Sequence, residues 1–152
     1  MLTGGWLFLS GASNREPGEG KEDSGYFVGV SENSDGSFQY DVEAQTCRVI
    51  EALREALELV GHSLEDLVKV NCYLVDPADM AAFGRAYSKY FDASTGPVRT
   101  TVTVKALPHQ HIRVEIEGIA RERTPQSRMP TLGLMWAAVA AVGVFWCMKS
   151  GK

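Results

Sequence analysis

The run from Pro97 to Ala120, PVRTTVTVKALPHQHIRVEIEGIA, leaves the chain few folds to choose from. Its first arm alternates, with Val98, Thr100, Val102 and Val104 on one side and Arg99, Thr101 and Thr103 on the other, the period of a β-strand. Its second arm sets Val114, Ile116, Gly118 and Ala120 against Glu115, Glu117 and Ile119. Leu107-Pro108 and His109-Gln110-His111 between them read as a loose turn, so the arms are predicted to pair as an antiparallel hairpin. On that reading one face lies beneath helices. Arg99, Thr101, Glu115 and Glu117 share the other, either in water or lining a site.

The rest of the chain supplies the helices. Trp6 to Ser10 reads as a strand, followed by a polar, glycine-rich loop, a strand at Tyr26 to Val30, an Asp35-Gly36 turn and a returning strand at Phe38 to Tyr40. Asp41 can cap a helix running to about Val60, because Val42, Thr46, Val49, Ile50, Leu53, Leu57 and Val60 recur at helical spacing before Gly61. Ser63 and Asp66 form a capping pattern. Val68 to Val75 then alternates as a strand, with Val68, Val70, Cys72 and Leu74 inward. Asp76-Pro77-Ala78-Asp79 starts a second helix reaching Phe91, with Met80, Phe83, Tyr87, Tyr90 and Phe91 inward. Strands, helix, strand, helix, strands predict an α+β sandwich with two helices on one face.

Nineteen acidic residues against 15 basic ones, a net charge of -4, argue against a nucleic-acid surface, which needs clustered positive charge. Cys47, Cys72 and Cys147 lie far apart in no CxxC pattern, which fits a reducing compartment. Met1 to Trp6 lacks the features of a secretory signal. Beyond a domain at 1–121 and a linker at 122–131, residues 132–148 carry no charge, with Trp136 and Trp146 near the ends and a short basic tail at 149–152. That stretch is predicted to be an apolar helix serving as a membrane tail anchor. The domain would then sit on the cytosolic face, which suits the mitochondrial outer membrane or the endoplasmic reticulum.

A strand with Arg99-Thr100-x-Val102-x-Val104, then Ala106-Leu107-Pro108, then Val114-Glu115-Ile116-Glu117-x-Ile119-Ala120 resembles the signature of the RidA (YjgF-type) reactive-intermediate deaminase family. LFLSG at Leu7–Gly11, EAQT at Glu43–Thr46, the run Gly61–Val70 and YSKYF at Tyr87–Phe91 agree with it. The likeness spans Trp6 to Ala120 and looks most like the 2-aminomuconate deaminase branch. It implies a chorismate-mutase-like fold with a mixed sheet, assembled as a homotrimer with a site between neighbouring protomers. It also implies hydrolysis of amino-acid-derived enamines and imines to a keto acid and ammonia, with no cofactor and no metal.

In that frame Arg99 grips the carboxylate of a small-molecule substrate, and Glu115 orients the attacking water and handles protons. Ser10 and Gly11 bring backbone close to the ligand, and Thr101 offers a hydroxyl where better-known members hold a cysteine. Gly84 stands where a relative has asparagine, a departure that keeps a non-catalytic, metabolite-sensing module as the alternative. Arg15 is either a partner for a second substrate carboxylate or a surface arginine. His109-x-His111 has metal-ligand spacing but no evident third ligand. The ribonuclease label sometimes attached to the family fits poorly with the acidic composition.

Overall fold

The computed structural model describes residues 2–3, 5–16 and 26–122, which belong to the compact unit Met1–Glu122. The anchor at 132–148, the basic tail and all but the first residue of the linker lie outside the described residues. Among those described, no helix is long and apolar enough to cross a membrane.

Among the described residues, seven strands and two helices follow in the order β1 (Leu2–Thr3), β2 (Trp6–Ala12), β3 (Val30–Glu32), β4 (Phe38–Tyr40), α1 (Val42–Glu58), β5 (Leu67–Leu74), α2 (Met80–Tyr87), β6 (Val98–Thr103) and β7 (Val114–Arg121). Helix α1 starts where the sequence says, with the Asp41 carboxylate accepting from the Ala44 N–H at 2.9 Å. Asp76 caps a 3-10 turn at Pro77–Asp79 that leads into α2. That second helix closes at Ser88, short of the expected Phe91.

The core lies between the helices and one face of the sheet. Val49, Ile50, Leu53 and Leu57 of α1 meet Val70, Cys72 and Leu74 of β5, Val114 and Ile116 of β7, and Phe83 of α2, none more than 1% exposed. Each such aliphatic or aromatic side chain is worth about 1.5–3 kcal/mol relative to exposure. Val60 and Met80, expected inward, are exposed.

Strand order in the five-stranded mixed sheet is β1-β2-β7-β5-β6. β7 runs antiparallel between β2 and β5, and β6 lies parallel to β5 at the edge. The predicted hairpin is therefore wrong: β6 and β7 never touch as strands. The physical reason is the crossover. β5, α2 and β6 form one parallel unit, which carries β6 to the outer edge, and segment 104–113 must travel back to the sheet centre.

The predicted faces of β6 are also reversed. Val70 pairs with Arg99 and Cys72 with Thr101, so Arg99 and Thr101 stand on the helix-covered side. Val98, Thr100 and Val102 stand on the open side with Asn71 and Tyr73. Alternation in a strand fixes two faces without saying which is covered. Here α2 supplies an aromatic surface for the arginine, and the valines face out. The open face consequently exposes Trp6, Phe8, Val98 and Val102. A register shift between Leu67 and Lys69 likewise turns Val68 outward and Leu67 inward. The second predicted strand moves from Tyr26–Val30 to Val30–Glu32, and Phe27 keeps only an isolated bridge to Arg15.

Candidate functional site

Two groups of side chains carry the chemistry, and the sheet separates them. The first surrounds Arg99. Its guanidinium carbon lies 4.3 Å from the centroid of the Tyr87 ring and 5.4 Å from that of Phe83. The residue is exposed, and among the described residues no carboxylate pairs with it. Its N–H donors are therefore held in place by stacking and left uncommitted at their edges. Thr101 shares this face. Its hydroxyl is buried beside the Cys72 thiol. Below lies Cys72, fully buried, whose thiol is pushed up to about 12 by burial, with the Arg99 charge pulling the other way. A side chain at Gly84, one turn before Ser88, would meet nothing within 4 Å, so that position adjoins open space.

The second group surrounds Glu115 on the open face. The register shift in β2 between Leu9 and Ala12 sets Ser10 and Gly11 opposite Glu117, with Gly11 against the Glu115 carboxylate. A Cβ added to Gly11 would collide with the Glu115 carboxylate and stand 2.9 Å from its Cδ. Gly11 is needed because the acid occupies the space a side chain would fill. Burial raises the pKa of Glu115, and the charge of Glu117 adds to the effect. Glu117 is driven the opposite way: Asn71 Nδ2 donates to it at 2.9 Å and Tyr73 Oη at 2.8 Å, which lowers its pKa against the effect of burial. Two carboxylates two residues apart are thus shifted in opposite directions, Glu115 holding its proton more readily than Glu117.

A cleft of about 690 Å³ opens beside Glu115 and is lined by Gly11, Arg15, Phe27, His109 and Ile112 among others. The rings of Phe27 and His109 stack at 4.3 Å, and His111 packs against Phe38 at 4.4 Å. Burial lowers the pKa of His111, and the neighbouring His109 adds to this. His109 thus lines the cleft beside Phe27, while His111 packs against Phe38 with its Nδ1 3.3 Å from the Tyr40 hydroxyl. Arg15, left open between two roles by the sequence, lines the same cleft as Glu115.

Two fully buried amides hold the His111 carbonyl, and sequence reasoning gave neither a role. Gln45 Nε2 donates to the His111 carbonyl at 3.1 Å, while its Oε1 accepts from the Arg113 N–H at 2.9 Å. Asn14 Nδ2 donates to the carbonyls of Val28 at 2.7 Å and His111 at 3.3 Å. The available signal was a glutamine three residues after Val42 and four before Val49, on the apolar side of α1.

The geometry separates the two groups widely. Arg99 lies in the row of Val70 and Gly118, and Glu115 in the row of Tyr73, three residues along. Two strand spacings and three residue rises put their backbones roughly 14 Å apart, on opposite faces. Within one chain the two side chains therefore stand on opposite faces of the sheet.

Residues 1–122 match the family model described as endoribonuclease L-PSP. A RutC family protein of Pyrococcus horikoshii is 34% identical over 120 residues, covering 79% of this chain and 82% of the relative. The crystal structure of a putative endoribonuclease from Thermotoga maritima superposes with a TM-score of 0.64 at 31% identity, over 81% of this chain and 84% of that one. RidA from an Antarctic Psychrobacter gives 0.58 at 27% identity, over 80% and 84%.

Proposed function

This chain belongs to the YjgF/RidA family, and from that premise we propose that it hydrolyses reactive enamines and imines derived from amino acids, at a site completed by a second copy of itself. The observation that carries the reading is an exposed guanidinium, stacked on Tyr87, with no carboxylate paired to it among the described residues. Such a group suits the bidentate grip of a substrate carboxylate.

The exposed apolar side chains of the open face provide the surface for association as a homotrimer. Association would bring Arg99 of one protomer to Glu115 of the next. The imine carbon, next to the bound carboxylate, takes up water. Glu115 passes one proton of that water to the imine nitrogen, giving a carbinolamine, and then passes the hydroxyl proton to the same nitrogen as the C–N bond breaks, so ammonia leaves and a 2-keto acid remains. An enamine reaches the same point by first taking a proton on carbon. Ser10, Gly11 and Thr101 are proposed to line the substrate's path. The cleft beside Glu115 has room for a longer substrate such as 2-aminomuconate.

Incubating the chain with freshly generated 2-iminobutanoate or 2-aminomuconate is expected to accelerate ammonia release, and Arg99→Ala to abolish it. No acceleration over buffer rejects the enzyme. Saturable binding of 2-oxobutanoate without turnover makes the protein a metabolite-binding module. Relatives bear the name endoribonuclease, and cleavage of RNA by the purified chain would favour that activity instead. A membrane anchor at 132–148 is proposed from its apolar sequence alone, and soluble recovery of the full chain after carbonate extraction removes it.

A further inference from the structure

We infer that Tyr87 is the positioning residue of the Arg99 site, its ring holding the guanidinium in the orientation from which it grips a carboxylate; the inference rests on the carboxylate reading of Arg99. Tyr87 is only 7% exposed and is the last residue of α2, packed between the rings of Phe83 at 5.6 Å and Phe91 at 4.6 Å. A ring clamped on both sides is a fixed platform, and the guanidinium carbon lies 4.3 Å from its centroid. The hydroxyl of Tyr87 is buried and has no hydrogen-bond partner. The phenol is therefore not held there by its oxygen. What it contributes at that place is the face of the ring.

The chemistry around the platform suits a waiting cation. Burial pushes the Tyr87 phenol up to about 12 and the Cys72 thiol up to about 12, so both stay neutral at physiological pH. A carboxylate in either place would also have fixed the arginine, but it would have occupied its donors and cancelled its charge. A neutral ring fixes it through its π face and leaves the N–H edges for the ligand. The Phe83 ring, the other aromatic near the guanidinium, stands farther off at 5.4 Å.

The test uses the full chain, 2-oxobutanoate as probe, and 15N NMR of the Arg99 side chain. In the wild type the Arg99 side-chain protons should be shifted upfield by the ring current and the Nε–Hε bond should be ordered. Tyr87→Phe should rescue shift, order and affinity, and should raise the melting temperature because it deletes a buried hydroxyl with no partner. Tyr87→Leu should abolish the shift, mobilise Nε–Hε and weaken 2-oxobutanoate binding roughly two- to thirtyfold, the loss in turnover falling on KM. Absence of the upfield shift in the wild type overturns the inference, whether or not Tyr87→Leu folds. So does unchanged order and affinity in a folded Tyr87→Leu. Failure of the wild type to bind 2-oxobutanoate, with the shift present, overturns the carboxylate reading and leaves the hold of Tyr87 on Arg99 standing.

Discussion

Arg99 and Glu115 look out from opposite faces of one sheet, with β5 between their strands. On the proposed mechanism, which needs both, one of them comes from a neighbouring copy. The exposed side chains of Trp6, Phe8, Val98 and Val102 mark the face through which the neighbour is expected.

Charging that face should therefore separate the copies. Val102→Asp, at an exposed strand position, is expected to leave the helical circular-dichroism signal intact and to turn an oligomer into a monomer on analytical ultracentrifugation. Deaminase activity should fall at least about a hundredfold, as expected when reacting groups are no longer held together. An active monomer would rule out a shared site.

Gly11 and the Glu115 carboxylate compete for one volume. Gly11→Ala must push the acid aside, at about 1–3 kcal/mol of stability for the overpacking. Steady-state kinetics should show the loss in kcat, because the water-orienting group has moved while Arg99 has not. A thermal melt of the same variant gives the stability term.

The two carboxylates of β7 predict pH effects of opposite sign. Glu115, raised by burial and by Glu117, binds a proton in the folded state at a pH where the unfolded chain has released it. Its contribution to stability is present below the unfolded carboxylate pKa and is lost as pH rises through the folded value. Glu117, lowered by Asn71 and Tyr73, contributes above the unfolded value and loses that contribution as pH falls through the folded one. As the proposed base, Glu115 must be ionised, so activity should rise with pH through its elevated pKa. Glu117→Gln removes the repelling charge and should move that acid limb to lower pH. A limb that stays put in Glu117→Gln would mean that another group controls the rate.

Gln45 ties α1 to the segment that delivers Glu115. Gln45→Leu keeps the volume but strands the Arg113 N–H and removes one donor from the His111 carbonyl. Each buried group left unpaired costs about 1–3 kcal/mol, and a denaturant titration should show a loss of that size.

Much of this was legible in the sequence, for identifiable reasons. The helix starts at Asp41 and Asp76, the turn at Asp35-Gly36 and the inward set of β7 rest on local chemistry that the fold does not override. The partner of β6 was not legible, because strands adjacent in sequence are the natural pair until a crossover helix intervenes. Neither was its inward face. A Val/Thr/Arg alternation looks apolar on the valine side, and only the rings of α2 make the arginine side the covered one. Gln45 and Asn14 escaped because the carbonyl they serve, that of His111, lies 66 and 97 residues away along the chain. Arg99 and Glu115 could be named from the motif, but their separation by a sheet could only be seen in three dimensions.

The most direct test mixes two inactive proteins. Arg99→Ala and Glu115→Gln should each lack deaminase activity alone. After mild dissociation and reassociation in equal amounts, with exchange verified by native mass spectrometry, about a quarter of the sites in a cyclic assembly should pair an intact arginine with an intact glutamate. Ammonia release from 2-iminobutanoate should then return to about a quarter of the wild-type rate. No recovery in a mixture shown to have exchanged subunits would contradict a site shared between chains.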